Sequence, residues 1–387
     1  MEQPIKILIT GANGQVGHAL LRALTDRSVL RNADAAVASY SGHSGTGRRP
    51  EPGIGLDGRE NRFRVRSFGA PRNDERPVPE TVPACAVIPA TRTGTLEGGT
   101  RCDPIDLADF NALTRALDRI APDVIINAAA YTAVDRAEDE PELAQRINGD
   151  ALGVLGAWAK QNGARVVHYS TDYVFDGSAT RPYREDDATH PVSAYGCSKL
   201  AGEDALRDSG ARHLIFRTAW VYAARGQNFL RTMLRLGTER DELRVVDDQI
   251  GAPTPARLIA EVTAQAIARW STPPSTGRGG ADANAREART RSGGGVPAPD
   301  GTYHLVASGQ TSWCGFARAI FERAQRAGLI EGAPVVHAIG TADYPTKAKR
   351  PAFSVLDTTK LHDAFGIDLP DWQVALEGVI GELVPGL

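Results

Sequence analysis

The sequence predicts an α/β protein built on a parallel sheet that is covered by helices on both faces, a doubly wound arrangement. Two observations lead to this fold class. Short apolar runs rich in β-branched residues alternate with segments of helical period, as in chains that form parallel sheets. These runs are continuously apolar rather than alternating, which is typical of strands buried on both faces.

The predicted elements follow one another regularly over much of the chain. We predict strands at 5–10, 123–127, 165–170 and 213–218, and helices at 16–24, 106–120, 142–161 and 195–208. Weaker strands are predicted at 35–39 and 84–89. Beyond residue 220 the chain mixes helices with short strands, which indicates a smaller mixed α/β region over the carboxyl edge of the sheet.

Two segments interrupt this pattern. Residues 41–101 and 271–300 are dense in Gly, Pro and Arg and lack a sustained period. Such composition does not supply enough apolar surface to form a core. We interpret both segments as flexible insertions.

Length and charge narrow the class of protein. A chain of 387 residues with 42% hydrophobic residues is long enough to bury a large core. The formal net charge of −3 gives no electrostatic reason to expect binding of nucleic acid or of an anionic membrane. We find no apolar run of membrane-spanning length, no signal-peptide pattern and no CxxC or metal-like cysteine spacing, so we expect a cytoplasmic location.

A glycine-rich turn follows the first strand and opens the first helix. Its spacing is GxxGxxG, in which glycine allows a tight turn and lets a pyrophosphate approach the helix N-terminus. In this position the pattern predicts a Rossmann-like dinucleotide-binding domain. The expected contacts are Gly11, Asn13, Gly14, Gln15, Val16 and Gly17.

The domain boundary follows from this turn. We assign residues 1–220 to the dinucleotide-binding domain and 221–387 mainly to a substrate-binding region, with some segments returning to the sheet.

The identity of the dinucleotide depends on the end of the second strand. An acid there holds the adenosine ribose of NADH, whereas its absence admits the 2′-phosphate of NADPH. We place this contact at Ser39, with Arg48 and Arg49 beyond it, which favours NADPH. Asp34 is the alternative contact and would favour NADH.

Tyr195 and Lys199 are four residues apart, on one face of a predicted helix. A nearby ammonium favours the phenolate and lowers the pKa of a tyrosine from its usual value of about 10. The pair therefore suits proton transfer at a carbonyl or hydroxyl oxygen.

Several motifs occur together with this pair. In chain order they are Asn127–Asp135 (NAAAYTAVD), Tyr169–Gly177 (YSTDYVFDG), Tyr195–Glu203 (YGCSKLAGE), Arg217–Tyr222 (RTAWVY), Asp248–Thr254 (DQIGAPT), Tyr303–Gly309 (YHLVASG), Arg350–Pro351 and Leu369–Trp372 (LPDW). With the glycine turn, these closely resemble the dTDP-4-dehydrorhamnose reductases of the extended short-chain dehydrogenase/reductase superfamily. The resemblance implies NAD(P)H-dependent reduction of a dTDP-linked 4-keto sugar, the last step of dTDP-L-rhamnose biosynthesis.

The resemblance also implies roles for individual residues. Tyr195 would donate the proton, and Lys199 would lower its pKa and hold the nicotinamide ribose. Thr171 would orient the carbonyl, with Ser170 as an alternative. Substrate contacts are implied for Thr171, Asp172 and Trp220, and further cofactor contacts for Asp106, Leu107, Ala130, Tyr131, Thr132, Tyr195 and Lys199.

Some members of this family bridge two subunits with Mg²⁺ held by glutamates. The matching positions here are Ala19 and Arg257, with Glu382 as a third. An arginine opposes a cation that needs oxygen ligands. We therefore expect no metal site and no metal-bridged dimer, while a homodimer of another kind stays open.

Two other functions fit parts of the sequence. One is a related sugar-nucleotide reductase, epimerase or dehydratase; the residue after Asp172 is Tyr173 rather than a glutamate, which argues against a dehydratase. The other is a non-catalytic dinucleotide-binding regulatory subunit. The presence of Thr171, Tyr195 and Lys199 argues against it, because binding alone needs no proton donor.

Overall fold

The computed structural model describes residues 4–25, 85–271 and 299–384. Its centre is a seven-stranded sheet in the order β11-β6-β5-β4-β1-β2-β3, in which every neighbouring pair is parallel. These strands are β1 (Ile5–Thr10), β2 (Cys85–Thr91), β3 (Asp103–Pro104), β4 (Val124–Asn127), β5 (Arg165–Thr171), β6 (Arg212–Thr218) and β11 (Gly301–His304). The predicted parallel α/β sheet is confirmed.

The helices flank this sheet or belong to the region beyond it. They are α1 (Gln15–Thr25), α2 (Phe110–Ile120), α3 (Val134–Ala137), α4 (Pro141–Gln145), α5 (Ala151–Asn162), α6 (Ala194–Asp208), α7 (Phe229–Glu239), α8 (Ala256–Ser271), α9 (Trp313–Arg326), α10 (Thr359–Phe365) and α11 (Trp372–Gly381). A π-helical turn at Arg146–Asp150 joins α4 to α5, where the sequence predicted one continuous helix, and 3₁₀ turns lie at Asp172–Val174 and Thr341–Asp343.

Both faces of the sheet are buried, as the continuous apolar runs predicted. Ile7 and Ile9 of β1 pack in the core that contains α1 and α8. Leu8, between them, packs in a second core with α2 and α5. Because successive strand residues point to opposite faces, an unbroken apolar strand fills two cores at once.

The order of the strands creates a crevice at the carboxyl edge of the sheet. From β1 the chain moves outward to β2 and β3, then crosses back to β4 on the other side of β1. In open α/β sheets, ligands bind where the strand order reverses in this way. The loops after β1 and β4 therefore face a common cleft.

β1 pairs with a strand from the segment that the sequence analysis assigned mainly to an insertion. Residues 85–101 were assigned to an insertion that contains a weak strand at 84–89. That strand is confirmed as β2 (Cys85–Thr91), in register with β1 from Ile5↔Cys85 to Ile9↔Pro89. The following turn is held by a bridge between Thr95 and Arg101. The predicted strand at 35–39 and the rest of that insertion lie outside the described residues, as do residues 272–298 of the second.

Part of the chain after residue 220 forms a smaller set of strands outside the main sheet, while α8 packs against α1 beside the sheet. These strands form three two-stranded pairs: β7 (Val221–Tyr222) with β10 (Thr254–Pro255), β9 (Ile250–Gly251) with β12 (Thr311–Ser312), and β8 (Glu242–Val246) with β13 (Val335–Ile339). One segment, β11, returns to the main sheet beside β6.

Candidate active site

The glycine-rich turn forms one wall of a cleft of about 900 Å³, here called the sheet-edge cleft. Gly11 has a φ of +68°, and a Cβ at Gly17 would lie 2.2 Å from the Gly11 carbonyl oxygen, so both positions require glycine. The start of α1 therefore faces the cleft with its backbone N–H groups. This cradle without side chains fits the pyrophosphate of a dinucleotide.

Helix α6 carries Tyr195 and Lys199 to the opposite wall. Ser193 caps the helix by accepting a hydrogen bond from the Gly196 N–H at 3.1 Å. A Cβ at Gly202 would lie 2.0 Å from the Asn148 carbonyl oxygen, so the glycine lets α6 pack closely against the π-helical turn. Both predicted side chains line the sheet-edge cleft.

Thr171 is the last residue of β5 and Asp172 follows it directly; both lie close to Tyr195 in the cleft wall. The Thr171 hydroxyl lies close enough to the Tyr195 phenol to lower its pKa. Thr171 Oγ1 also donates to Asp172 Oδ1 at 2.9 Å, whereas Asp172 Oδ2 has no hydrogen-bond partner among the described residues. Burial raises the pKa of Asp172 to about 6. An unpaired buried carboxylate oxygen in the cleft is suited to accept from a ligand hydroxyl.

The pKa of Tyr195 differs from the expectation. Burial raises it above its usual value, and the charge of Asp172 raises it further, against a lowering by Thr171. Lys199 is not among the groups that shift it. In this structure the phenol is therefore held protonated, ready to donate rather than to accept a proton.

The Lys199 ammonium instead contacts the sheet. Its Nζ donates to the Tyr169 carbonyl at 2.6 Å and lies 3.1 Å from His168 Nε2. Burial lowers the pKa of Lys199 to about 7, and Glu203 opposes this lowering.

The far end of the cleft is formed by residues that the sequence analysis did not select. Thr91 ends β2, and it lines the cleft together with the next two residues, Arg92 and Thr93, beside Asp106 and Leu107. They occupy the position after the second strand that was assigned to Ser39, which lies outside the described residues together with Asp34, Arg48 and Arg49. Arg92 was missed because its segment was read as an insertion.

Most of the other predicted cofactor contacts line the cleft. These are Gly11, Asn13, Gly14, Gln15, Val16, Ala130 and Thr132. Gly17 lies beneath the turn, and Tyr131 is not part of the cleft wall. The Tyr131 hydroxyl donates to Glu140 Oε2 at 2.7 Å instead, which holds the loop after β4 in place.

Trp220 lines the same cleft in an unusual backbone conformation, with a φ of +47°. Its ring stacks on Trp313 with centroids 3.6 Å apart. Gly251 lies against the other side, since a Cβ there would be 2.5 Å from Trp220 Cε2. Positive φ at a bulky residue is strained and persists only when surrounding contacts fix it. Trp313, which the sequence analysis missed, is one of those contacts.

A second cavity of about 1030 Å³, here called the arginine-lined cavity, lies on the other side of this stack. Trp313 and Phe229 supply aromatic surface, and the cations are Arg240, Arg244 and Arg350. Arg350 donates to Asp135 Oδ2 at 2.7 Å and to the Tyr173 hydroxyl at 3.1 Å. The sequence analysis noted Arg350 only as part of a motif, because its partners are distant in the chain.

Arg257 and Glu382, two of the three positions considered for a metal, form ion pairs instead. Arg257 forms ion pairs with Glu261 Oε1 at 2.8 Å and with Glu382 Oε1 at 3.3 Å. Within residues 4–25, 85–271 and 299–384, no group of three or more His, Cys, Asp or Glu side chains is placed to hold a metal ion.

Sequence comparison identifies the family. A family profile described as "RmlD substrate binding domain" matches residues 85–384. The dTDP-4-dehydrorhamnose reductase of Escherichia coli strain K12 is 46% identical over 278 residues, which are 72% of this chain and 85% of the relative. That of Burkholderia thailandensis is 47% identical over 286 residues, 73% of this chain and 89% of the relative. The chain belongs to the dTDP-4-dehydrorhamnose reductase family.

Solved structures agree with this membership. The dTDP-4-dehydrorhamnose reductase of Clostridium acetobutylicum superposes with a TM-score of 0.69 at 30% identity, covering 98% of this chain and 99% of that one. The Bacillus anthracis reductase, solved with NADP, gives 0.66 at 26% identity and covers 98% and 100%. A Thermus thermophilus UDP-glucose 4-epimerase bound to NAD matches at 16% identity, which shows a shared fold alone.

No helix in the described part of this family member is long and apolar enough to cross a membrane.

Proposed function

We propose that the protein reduces dTDP-4-dehydro-β-L-rhamnose to dTDP-β-L-rhamnose with NADPH in the cytoplasm, the last step of dTDP-L-rhamnose biosynthesis. One observation carries the proposal: a single cleft contains both a dinucleotide-binding turn and the group Thr171, Tyr195 and Lys199. Membership of the reductase family supplies the identity of the substrate.

The residues present suit the proposed chemistry. Bound NADPH supplies the hydride that reduces the C4 carbonyl carbon. On substrate binding the Thr171 hydroxyl turns from Asp172 Oδ1, to which it donates in the structure, and donates to the C4 oxygen instead, which orients the carbonyl. Tyr195, whose pKa is raised by burial, transfers its proton to that oxygen as negative charge develops there. Lys199 holds the nicotinamide ribose from the side of β5.

The substrate side of the proposal uses both cavities. Asp172 accepts from a sugar hydroxyl through its unpaired Oδ2, and Trp220 packs on the sugar ring. The arginine-lined cavity suits the rest of the substrate, since Arg240 and Arg244 complement a diphosphate and Trp313 and Phe229 complement a flat base. A small ketone without a nucleotide would leave this second cavity unused.

Preference for NADPH follows from the end of β2. The residues there are Ala90, Thr91, Arg92 and Thr93, with no acid to repel a 2′-phosphate. Arg92 is exposed on the cleft wall, and no carboxylate of the described residues pairs with it. We propose that Arg92 takes the role that was first assigned to Ser39.

The direct test is turnover of dTDP-4-dehydrorhamnose, followed by oxidation of NADPH and, separately, of NADH. We expect turnover with both and a higher kcat/KM with NADPH. Tyr195→Phe should lower kcat by about 10²- to 10⁴-fold, the usual contribution of a general acid, and leave NADPH binding unchanged.

The matched control is Tyr303→Phe, which removes a phenol hydroxyl that contacts the Pro299 carbonyl outside both cavities, and it should keep near-native turnover. Absence of turnover by the native protein would refute the reductase proposal. Full activity of Tyr195→Phe would leave the reductase proposal standing but would show that Tyr195 is not the proton donor.

A further inference from the structure

A buried row of polar side chains runs beneath the sheet-edge cleft. Thr10 Oγ1 donates to Asn127 Oδ1 at 2.5 Å, and Asn127 Nδ2 lies 3.2 Å from His168 Nδ1. His168 Nε2 lies 3.1 Å from Lys199 Nζ. The row links the ends of β1 and β4 through β5 to helix α6, and all four residues are at least 98% buried.

The charge state of His168 follows from its neighbours. Burial lowers the pKa of His168 well below its usual value, and the charge of Lys199 lowers it further, against a hydrogen bond with the Asn127 backbone. The ring is therefore neutral. A neutral imidazole that receives a hydrogen bond from an ammonium at Nε2 carries its own proton on Nδ1. This N–H donates to the Asn127 backbone, since the Asn127 side-chain Nδ2 beside it is also a donor and does not accept.

The hydrogen bonds of the Lys199 ammonium can be counted. An ammonium has three N–H groups. The Tyr169 carbonyl takes one and His168 Nε2 takes a second. Both acceptors belong to adjacent residues of β5, so they fix the direction of the third N–H, and Lys199 lines the cleft.

We propose that His168 is a positioning residue for the reductase reaction, acting as the acceptor that keeps Lys199 charged in a buried place and directs its remaining N–H into the sheet-edge cleft. An ammonium without this acceptor would be buried with one donor unsatisfied, which favours the neutral amine. The catalytic importance of the contact between His168 and Lys199 rests on the proposed function. The contact itself is part of the structure whatever the function is.

Other titratable groups face Lys199 and have to be separated from its titration. On α6 these are Tyr195 and Glu203, of which Glu203 forms an ion pair with Arg217 of β6. After β5 the group is Asp172, whose raised pKa of about 6 places its titration on the acidic side. The basic limb of a pH profile therefore reports on Lys199, since its charged form is lost as pH rises.

The first test needs no activity. Protein labelled with ¹³C at lysine Cε is titrated by NMR, and the Lys199 signal is assigned by its loss in Lys199→Met. In His168→Leu we expect the pKa of Lys199 to fall by about one to two pH units, the effect of losing one hydrogen bond to a charged group. In His168→Gln, which keeps an acceptor oxygen, we expect a change below about half a unit.

The second test measures kcat/KM against pH with NADPH. His168→Leu should move the basic limb to lower pH by the same amount, and His168→Gln should restore it. His304→Leu is the matched control, because His304 is a buried histidine at the end of β11 that lies outside the cleft wall. If His168→Leu does not fold, His168→Asn serves instead, since its shorter amide stays polar but does not reach Lys199.

The outcomes separate the two proposals. An unchanged Lys199 titration in His168→Leu, or equal shifts in the Leu and Gln variants, would overturn the positioning role. If the NMR titration shows the expected shift but the protein turns over no sugar, the positioning role of His168 stands and only the reductase function is refuted.

Discussion

At the scale of single residues, we propose that Arg92 sets the preference between NADPH and NADH. Its guanidinium is the cation at the end of β2, where a 2′-phosphate would lie. We expect Arg92→Ala to raise the KM for NADPH by about 10-fold, because a charge-assisted hydrogen bond at an exposed site is lost, and to leave the KM for NADH nearly unchanged. Steady-state kinetics with each cofactor measure this.

Arg101→Ala is the control for Arg92, since Arg101 is an exposed arginine of the same turn outside the cleft wall. Equal losses with NADPH and NADH in Arg92→Ala would contradict recognition of the 2′-phosphate.

We expect Asp172 to give the pH profile of kcat/KM an acidic limb. Burial raises its pKa to about 6, so the carboxylate is lost as pH falls through that value. We expect kcat/KM to decline below about pH 6, because the protonated acid no longer accepts from the sugar. In Asp172→Asn the rate should be lower and this limb should be absent. Asp176→Asn, in which the altered acid lies outside the cleft wall, should keep the acidic limb. If the acidic limb persists in Asp172→Asn, it belongs to a group other than Asp172.

At the scale of elements, a buried ion pair ties α6 to β6. Arg217 Nη2 lies 2.8 Å from Glu203 Oε2, and both side chains are at most 3% exposed. We expect Glu203→Ala to lower the free energy of unfolding by about 3–5 kcal/mol, because Arg217 is left buried without that counter-charge. Denaturant unfolding measures the change.

The exposed pair Arg235–Glu239 on α7 provides the comparison. Glu239→Ala should change the free energy of unfolding by less than about 1 kcal/mol. Equal losses in both variants would mean that burial of the Glu203 pair has no special effect.

Sequence patterns predicted the helices and strands whose formation depends on residues close together in the sequence. The strands β1, β4, β5 and β6 are continuously apolar, and α6 carries its motif on one face, so these elements were placed within a few residues. β2 was predicted only as a weak strand, since Pro89 interrupts its pattern. The structure tolerates this proline because β3 pairs only with Ala90 and Thr91, which leaves no outer neighbour at position 89.

The remaining features depend on contacts between distant segments. In the sequence, His168 is one of several polar residues of β5, and only the packing of α6 on β5 brings Lys199 to it. The stack of Trp313 on Trp220 and the contacts of Arg350 likewise join residues from separate parts of the chain. No spacing in the sequence predicts such pairs.

At the scale of the whole molecule, the described fold is continuous without residues 26–84. The Cys85 Sγ lies 3.9 Å from the Leu24 carbonyl oxygen, and β2 pairs directly with β1. We expect a variant with a short Gly-Ser linker in place of 26–84 to fold, since a shorter loop costs less entropy to close. Circular dichroism and kcat/KM should match the full chain within about two-fold.

A well-folded but inactive deletion variant would show that residues 26–84 contribute to the site. A linker of the same length as the deleted segment is the control for chain length.

The central claim is that hydride passes from NADPH to C4 of a dTDP-linked keto sugar in the sheet-edge cleft. The most direct measurement uses NADPH carrying deuterium at the transferable C4 position, with dTDP-4-dehydrorhamnose as substrate and mass spectrometry and NMR of the product. We predict dTDP-rhamnose with deuterium at the sugar C4. Oxidation of NADPH without label in the sugar, or no oxidation at all, would contradict the account.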